Sequence, residues 1–511
     1  MTISSKTIAE RILLALFVGV AAGVIASGTA SAAGMTDMVL ADSTQEGILD
    51  AAPSPGSAPL FTTDETGEYL PSSARDSAME ELTPEQRLDQ LQAEIVKLQE
   101  QLAGKEDKPE PSKKFKNNLG GILIMDAITV DQSGGNKEVV GDVDNYFPIR
   151  EARFCLKGTG YDVVNYECTV AVQTSNSQRA NGLLFKNIMV GVKDVPVLQN
   201  IKVGHFKVET CMSERDLLIN SPGISYFSGS TTTFSPHRHY GVGATQYYAD
   251  KRLRVYNGLY SGRSFTDSAS VLDDAPGLIL NTRVTAIPYL SMTGSDDLHE
   301  IVHLGGSAYW YIPGNEQNVL KMRARPTSWC GGMKYLLNSA IPLEKGYSVY
   351  TGEVAWQRGQ FGVSSENYVA SIKNYGTSWG TNLAARYFLT PGSYRTYNYN
   401  SGGFGNAHLA HPFSLGENFA GGRPDSLGEL ELAFMYAYWD LNNLKNVPST
   451  PTVTTIYGDL HEVVFGVNWW WSPDIRWSAA YTKAYCNSAQ IGEAKQKTSN
   501  NTVNLQVSLQ F

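Results

Sequence analysis

Charge is scarce in this chain. Asp, Glu, Lys and Arg make up 18% of its 511 residues, below the roughly 25% of typical soluble domains, a poor fit to an ordinary cytosolic enzyme. Positive charge is the scarcer sign, 41 Lys and Arg against 50 Asp and Glu, which argues against a nucleic-acid binder living on phosphate contacts. Long apolar runs are missing after residue 25; the longest, such as 430–438, is short and interrupted by polar residues. There is no P-loop, G-x-S-x-G, H-E-x-x-H or dinucleotide fingerprint, and no nucleophile–base signature of a lipase or protease. The chain therefore reads as a non-enzyme with no cofactor. Cysteine is limited to positions 155, 168, 211, 330 and 486, an odd number that leaves at least one without a partner in the chain.

The one strongly apolar stretch is at the start. Lys6 and Arg11 precede a nearly wholly apolar 12–25, and Ala30-Ser31-Ala32 is a small-residue cleavage site. This is the pattern of a secretory signal over 1–32, too short for a spanning helix of about 20 residues. An exported chain with no second hydrophobic helix is either soluble beyond the inner membrane or crosses a membrane as a closed β-barrel.

Residues 33–82 are rich in Ala, Ser, Thr, Pro and acidic side chains without periodicity, a composition that buries too little apolar surface to offset ordering entropy. They read as a disordered acidic leader. Thr83-Pro84-Glu85-Gln86 then supplies an N-cap residue, a Pro at the first helical position and a Gln three residues after the cap. Leu88, Leu91, Ile95, Leu98 and Leu102 follow at spacings of three and four, a coiled-coil seam over 83–104; an amphipathic helix packed on its own chain gives the same pattern. Residues 105–114 form a charged linker. Residues 1–114 hold 9 basic and 18 acidic residues, so 115–511 hold 32 of each: the acidity belongs to the leader and the main domain is neutral.

The main domain, 115–511, alternates. In 502–511, Val503, Leu505, Val507, Leu509 and Phe511 share one face, and Asn504, Gln506, Ser508 and Gln510 the other. Leu430, Leu432, Phe434, Tyr436 and Tyr438 alternate with Glu429, Glu431, Ala433, Met435 and Ala437. Val463, Phe465, Val467 and Trp469 alternate with Glu462, Val464, Gly466, Asn468 and Trp470. After the turn 472–474, Ile475, Trp477, Ala479 and Tyr481 alternate with Arg476, Ser478, Ala480 and Thr482. A soluble sandwich alternates too, but does not account for a strand ending on the aromatic Phe511, which in outer-membrane barrels is part of the signal read by the assembly machinery. Trp469, Trp470, Trp471 and Trp477 gather at one tight turn, as expected of an aromatic girdle. A long connection at 486–501, a short one at 472–474 and a long one at 442–459 match the outer-loop and inner-turn alternation of a barrel. The fold expected is all-β: a transmembrane antiparallel β-barrel of about 16 strands, preceded by a short α-helical coiled coil.

Segments in this order resemble the phosphate-selective porin O and P family: Phe147-Pro148-Ile149-Arg150-Glu151-Ala152-Arg153-Phe154, Val203-Gly204-His205-Phe206-Lys207 leading into Ser213-Glu214-Arg215, 430–441, 465–476 and the terminal strand. The resemblance implies a sixteen-stranded outer-membrane barrel, usually a homotrimer, with one pore per chain passing inorganic anions or small hydrophilic solutes. The coiled coil would then be a periplasmic trimer clasp.

An anion pore needs fixed positive charge where low-dielectric walls focus the field, and Arg suits phosphate because its fork donates in pairs. The candidates are Arg153 and Lys157 on one strand face, His205 and Lys207 on another, and Arg215 in 210–236, where the family folds a long loop into the pore. Arg238 follows, then Arg252 and Arg254 at strand spacing, and Lys321, Arg323 and Arg325 as a third same-face ladder. Acidic residues such as Glu151, Glu429 and Glu431 share these faces, so a general or weakly anion-preferring pore is favoured over a strictly phosphate-selective one. His237 and His239 share a strand face but have no Cys or carboxylate close in sequence, so no metal site is assigned. Cys155 and Cys168 flank a hairpin, yet periodicity puts them on opposite faces, and the bond is left open. The competing reading is a structural or adhesive envelope protein for which the barrel is only an anchor.

Overall fold

The computed structural model describes residues 115–173, 182–216, 218–221, 233–262, 277–293, 297–314, 319–323, 338–343, 345–415, 424–445, 458–491 and 494–511, with isolated positions 93, 96, 97 and 327. The expected signal, leader and linker lie outside these residues. So does nearly all of the coiled-coil segment, of which only Ala93, Val96 and Lys97 are described, as helical and exposed.

Twenty strands, two short α-helices and, after the second of these, one 3-10 turn (Leu218–Asn220) are described. In chain order they are β1 (Phe115–Gln132), α1 (Gly134–Val140), β2 (Ile149–Gly160), β3 (Val164–Gln173), β4 (Gly182–Val195), β5 (Gln199–Lys207), α2 (Met212–Arg215), β6 (Arg238–Tyr248), β7 (Leu253–Ser261) and β8 (Gly277–Thr293). There follow β9 (Asp297–Pro313), β10 (Val319–Arg323), β11 (Asn338–Pro342), β12 (Tyr347–Arg358), β13 (Phe361–Ile372), β14 (Gly376–Phe388), β15 (Tyr394–Asn398) and β16 (Gly403–His408). The last are β17 (Glu429–Asp440), β18 (Asp459–Ser472), β19 (Ile475–Ile491) and β20 (Ala494–Gln510). Sixteen of them form one closed barrel, with β10–β11 and β15–β16 standing apart as two-stranded sheets. Closure is between β1 and β20, antiparallel from Ile122 opposite Gln510 to Gln132 opposite Asn500. Phe511 finishes the seam: its N–H and C=O both bond Gly121, and its ring lies where a Cβ on Gly121 would stand, 2.6 Å from Cζ.

The barrel is inside-out relative to a soluble core. On β20, Val503 and Leu505 are 47% and 56% exposed while Asn504 and Ser508 have no exposed surface. On β17, Leu430 and Leu432 are exposed and Glu429, Glu431, Ala433 and Met435 buried. Phe154, Leu156, Val190, Leu280, Val369, Leu383, Phe465, Trp477 and Tyr481 continue this exposed apolar band around the wall. Such a band is far larger than the few hundred Å² that water-soluble monomers tolerate; hydrocarbon is the solvent it fits. Placing Arg at Leu505 should therefore destabilise the folded barrel by about 2–4 kcal/mol, read as a drop in the urea midpoint in detergent or lipid.

Two expectations about connections change. The segment 486–501 is not a loop: β19 and β20 run on to a connection of 492–493 alone, still paired at Ile491 and Ala494. At the opposite end, where turns such as 473–474 and 359–360 are short, the connection 389–428 is long and contains the hairpin β15–β16. Of the four tryptophans, Trp477 faces outward and Trp471 lies beside it with ring centroids 5.4 Å apart, but Trp470 is buried on the inward face. Cys155 stands opposite Thr169 and Cys168 opposite Leu156; neither forms a disulfide, nor does Cys211 or Cys486.

Candidate functional site

The described parts of the connection between β5 and β6, 208–216, 218–221 and 233–237, fold inward because their apolar side chains meet aromatic rings of the wall rather than water. Val208, Cys211, Met212 and Phe234 are buried. Phe234 stacks on Tyr368 with centroids 5.4 Å apart, and Tyr309 Oη donates to Phe234 O at 2.6 Å. A polar tether completes the attachment: Ser213 N–H donates to Glu366 Oε1 at 2.7 Å.

This fold delivers Glu209 into a ring of wall cations. Arg254 of β7 pairs with it at 2.7 Å, Lys202 of β5 at 3.5 Å, Arg215 of the same loop at 3.7 Å and Arg283 of β8 at 4.0 Å. Arg283 donates also to Glu353 of β12, from Nε at 2.7 Å and Nη2 at 3.1 Å, and His303 Nε2 is 3.9 Å from the same carboxylate. Around Glu209 there are thus four cations and two carboxylates, all with almost no exposed surface. On the strands β1 to β3 the close ion pairs are Arg153 with Glu151 at 2.7 Å, Lys157 with Glu167 at 3.7 Å, and Arg150 with Asp126. The same loop also carries Glu214 and Asp216 and is met by Glu366 of β13, so the local feature is the convergence of four cations within 4.0 Å of Glu209.

Burial alone would raise the Glu209 pKa, but Arg215, Arg254 and Lys202 outweigh it and hold the carboxyl far below the usual range. For Glu214, burial is likewise overcome, here by His237, whose Nδ1 lies 3.0 Å away, and by Lys207 and Arg238. Asp216 goes the other way. Burial pushes it up to about 7, with Glu366 adding to the rise and Arg386 and Arg395 only partly offsetting it; its Oδ1 has no hydrogen-bond partner.

A second layer lies nearer the short-turn end. Arg395, carried on β15, pairs with Glu431 of β17 at 3.3 Å and donates to Asn220 Oδ1 at 2.7 Å. Its guanidinium lies 4.7 Å from the Trp470 ring centroid, and that of Arg476 5.4 Å. Arg476 Nη1 donates to Ser221 O at 2.8 Å. Hairpin, loop and wall are therefore joined through two arginines and one indole.

The residues singled out from sequence fall in different places. Arg215 and Arg254 meet at Glu209. Arg153 and Lys157 hold their wall pairs. Lys207 Nζ donates to Glu214 O at 2.6 Å, and Arg238 Nε to Asn187 Oδ1 at 2.7 Å. His205 is buried at a tilted contact with Tyr240, its Nδ1 2.5 Å from Lys186 O. Arg252 is exposed in the turn between β6 and β7, away from Arg254. Lys321 and Arg323 lie on β10, outside the ring of wall strands, and their side chains and Arg325 are outside the described residues. His237 binds Glu214 while His239 binds Pro236 O and Ser261 O, and among the described residues no group of three potential metal ligands occurs. Glu209, Lys202, Arg283 and Glu353 were missed. Arg283 shares its strand face with Asn281 and Thr285, a signal available from alternation; Glu209 lies in an irregular segment and offers none.

Residues 128–511 match the family model described as phosphate-selective porin O and P. No curated protein matches the chain. Among solved structures, the anion-selective porin from Comamonas acidovorans is 12% identical with a TM-score of 0.44, over 78% of this chain and 100% of that one. In-vitro folded OmpT, an outer membrane protein of Vibrio cholerae, is 15% identical with a TM-score of 0.44, over 79% and 99%. The outer membrane channel DcaP of Acinetobacter baumannii is 11% identical with a TM-score of 0.44, over 78% and 98%.

Proposed function

The chain belongs to the phosphate-selective porin O and P family, and from that premise we propose that it is a weakly anion-preferring porin whose selectivity is set around Glu209. As a member it is an outer-membrane porin, a channel for passive diffusion of small hydrophilic solutes and ions, and the family suggests phosphate among them. The observation that supports anion preference is the convergence of four cations on Glu209. Preorganised cations in a low-dielectric constriction lower the entry barrier for anions and raise it for cations. Reversal potential across a planar bilayer in a KCl gradient tests this; a cation-selective or non-selective pore overturns it.

The same reading extends to the assembly. A homotrimer in outer-membrane lipid, clasped by the 83–104 helices on the periplasmic side, accords with the family. Phe511 is the residue we assign to recognition by the assembly machinery. The competing role, a barrel that only anchors an envelope protein, is favoured by one feature: Arg283, Glu431 and Arg476 have no exposed surface. Conduction decides between them.

Acidity should tune the preference. Asp216 is neutral below about pH 7 and negative above it, so the lumen is more positive on the acid side. The anion-over-cation permeability ratio is expected to fall as pH rises from 6 to 8, and Asp216→Asn to hold the low-pH ratio throughout. A ratio independent of pH in the wild type would exclude this assignment.

A further inference from the structure

On β13 and β14 the inward face of the wall is hollowed out. Three inward positions there carry small side chains, Gly362 and Ser364 of β13 and Ala384 of β14, with Ser364 directly opposite Ala384 and Gly362 directly opposite Arg386. The room they leave belongs to a hollow of about 590 Å3, counting the space where it opens to solvent. Across from the wall it is bordered by Asp216, just after α2, and by Phe404 of β16. Gly362, Ser364 and Arg386 are only half-buried, so solvent reaches it.

The polar groups around this hollow are partnered unevenly. Glu366 accepts from Ser213 N–H and Oγ, from Tyr368 Oη and, at 3.3 Å, from Asn382 Nδ2. It is thereby satisfied, and it fixes the Asn382 amide with the oxygen turned away from it. That Oδ1 and Asp216 Oδ1 are both buried and have no hydrogen-bond partner, a state that costs free energy. Arg395 is committed to Glu431 and Asn220. Arg386 lies close enough to offset part of the rise in the Asp216 pKa, yet among the described residues its guanidinium makes no ion pair or hydrogen bond, to Asp216 or to any other group. One cation and two acceptor oxygens therefore border the same small space without reaching each other.

We propose that this hollow is a binding site for a small zwitterion of the α-amino acid class, its carboxylate on Arg386 and its ammonium shared by Asp216 and Asn382. The arrangement selects against simpler ions. An inorganic anion would satisfy Arg386 but set its charge against Asp216 and leave both acceptor oxygens bare. A simple ammonium would satisfy the oxygens and be repelled by Arg386. A molecule that carries both charges a few bonds apart meets all three groups, with the guanidinium fork suited to a carboxylate. The short side chains at 362, 364 and 384 leave space for a small ligand side chain, and Phe388 and Phe404 give it an apolar border. The site shares no residue with the ring of cations around Glu209, and occupancy does not require that the channel conduct.

Equilibrium dialysis of labelled L-alanine against the detergent-solubilised full chain, at about pH 8 where Asp216 is negative, is the test. Saturable binding is expected. Propionate, which lacks the ammonium, and ethylamine, which lacks the carboxylate, should each compete about tenfold less well or worse than unlabelled L-alanine, because each forfeits a charge-assisted contact. Arg386→Gln and Asp216→Asn should each weaken L-alanine by a similar factor. Gly362→Leu should abolish binding through shape alone: a Cβ there meets Gln357 atoms at 3.6 Å and beyond, so the strand accepts it, while the longer side chain fills the hollow. A cooperative urea transition shows that each variant is folded. Absence of saturable binding to the wild type, competition by propionate or inorganic phosphate as strong as by L-alanine, or undiminished binding in folded Arg386→Gln overturns the site. The competition series on the wild type decides the matter even where a variant does not fold. A failed site leaves the porin reading untouched, since that reading is tested by conduction and this one by binding.

Discussion

Lys202→Met combined with Arg254→Gln should lower the anion-over-cation permeability ratio at least tenfold. The pair removes two of the four cations around Glu209 and leaves Arg215 and Arg283 against Glu209 and Glu353. A unit charge about 7 Å from a passing ion, at an effective dielectric near 20, is worth about 2 kcal/mol, and about 1.4 kcal/mol is a factor of ten. Mobile ions in the open lumen screen part of this, so two charges together carry the tenfold estimate. The substitutions keep much of the side-chain volume, and Gln at 254 still donates to Glu209, so the loop retains a partner. Reversal potential in a tenfold KCl gradient reads the change. A ratio that stays at the wild-type value would mean that selectivity is set elsewhere, with the ion pairs Arg153–Glu151 and Lys157–Glu167 the next places to probe.

The architecture was legible because lipid imposes a simple code. A strand with hydrocarbon on one side and a polar lumen on the other has to alternate, and β17, β18, β19 and β20 alternate in exposure over their central residues, although Met435, Val464 and Trp470 are apolar side chains on the inward face. The terminal Phe511 and the turn 472–474 fixed direction and register there. Three features were hidden for physical reasons. Alternation continues through a strand that projects beyond the hydrocarbon, so the 486–501 segment, with its polar residues on both faces, was indistinguishable from a loop. The hairpin β15–β16 lies in the Gly-, Tyr- and Asn-rich segment 391–408, where polar residues face wall and loop rather than solvent, so no apolar face advertises it. Arg252 and Arg254 have strand spacing, but the turn after β6 takes Arg252 out of the wall, and two-residue periodicity carries no information across a turn.

The site was legible in part for a related reason. Alternation says which face a basic residue occupies, and it puts Arg153, Lys157 and Arg254 on the face opposite the exposed apolar band. It says nothing about which carboxylate a loop will bring to meet them. Glu209 is separated from Arg254 by 45 residues and from Glu353 by 144, and only the inward fold of 208–237 makes it their common partner. The deciding contacts of that fold, Phe234 on Tyr368 and Ser213 on Glu366, are likewise distant in sequence.

Glu209→Ala should be the most damaging single substitution in the lumen, costing about 3–5 kcal/mol, the range for removing one partner of a buried ion pair. Lys202, Arg215 and Arg254 would remain within one small buried volume with no carboxylate between them; Arg283 alone would keep Glu353. Such a cluster relaxes by admitting water and anions, and the cheapest way is to release 208–237 from the wall, because the wall strands cannot separate. The expected signature is therefore local: proteolytic nicking within the loop and a larger conductance with stronger anion preference, with a smaller loss in the global urea midpoint. Glu209→Gln separates charge from shape. It keeps an acceptor for Arg254 Nη2, now 3.0 Å from Oε1, so the loop should resist protease better than in the alanine variant while anion preference rises to a similar degree. If both variants kept the wild-type permeability ratio and the wild-type protease resistance, Glu209 would be neither the anchor of the loop nor the counter-charge that moderates the pore.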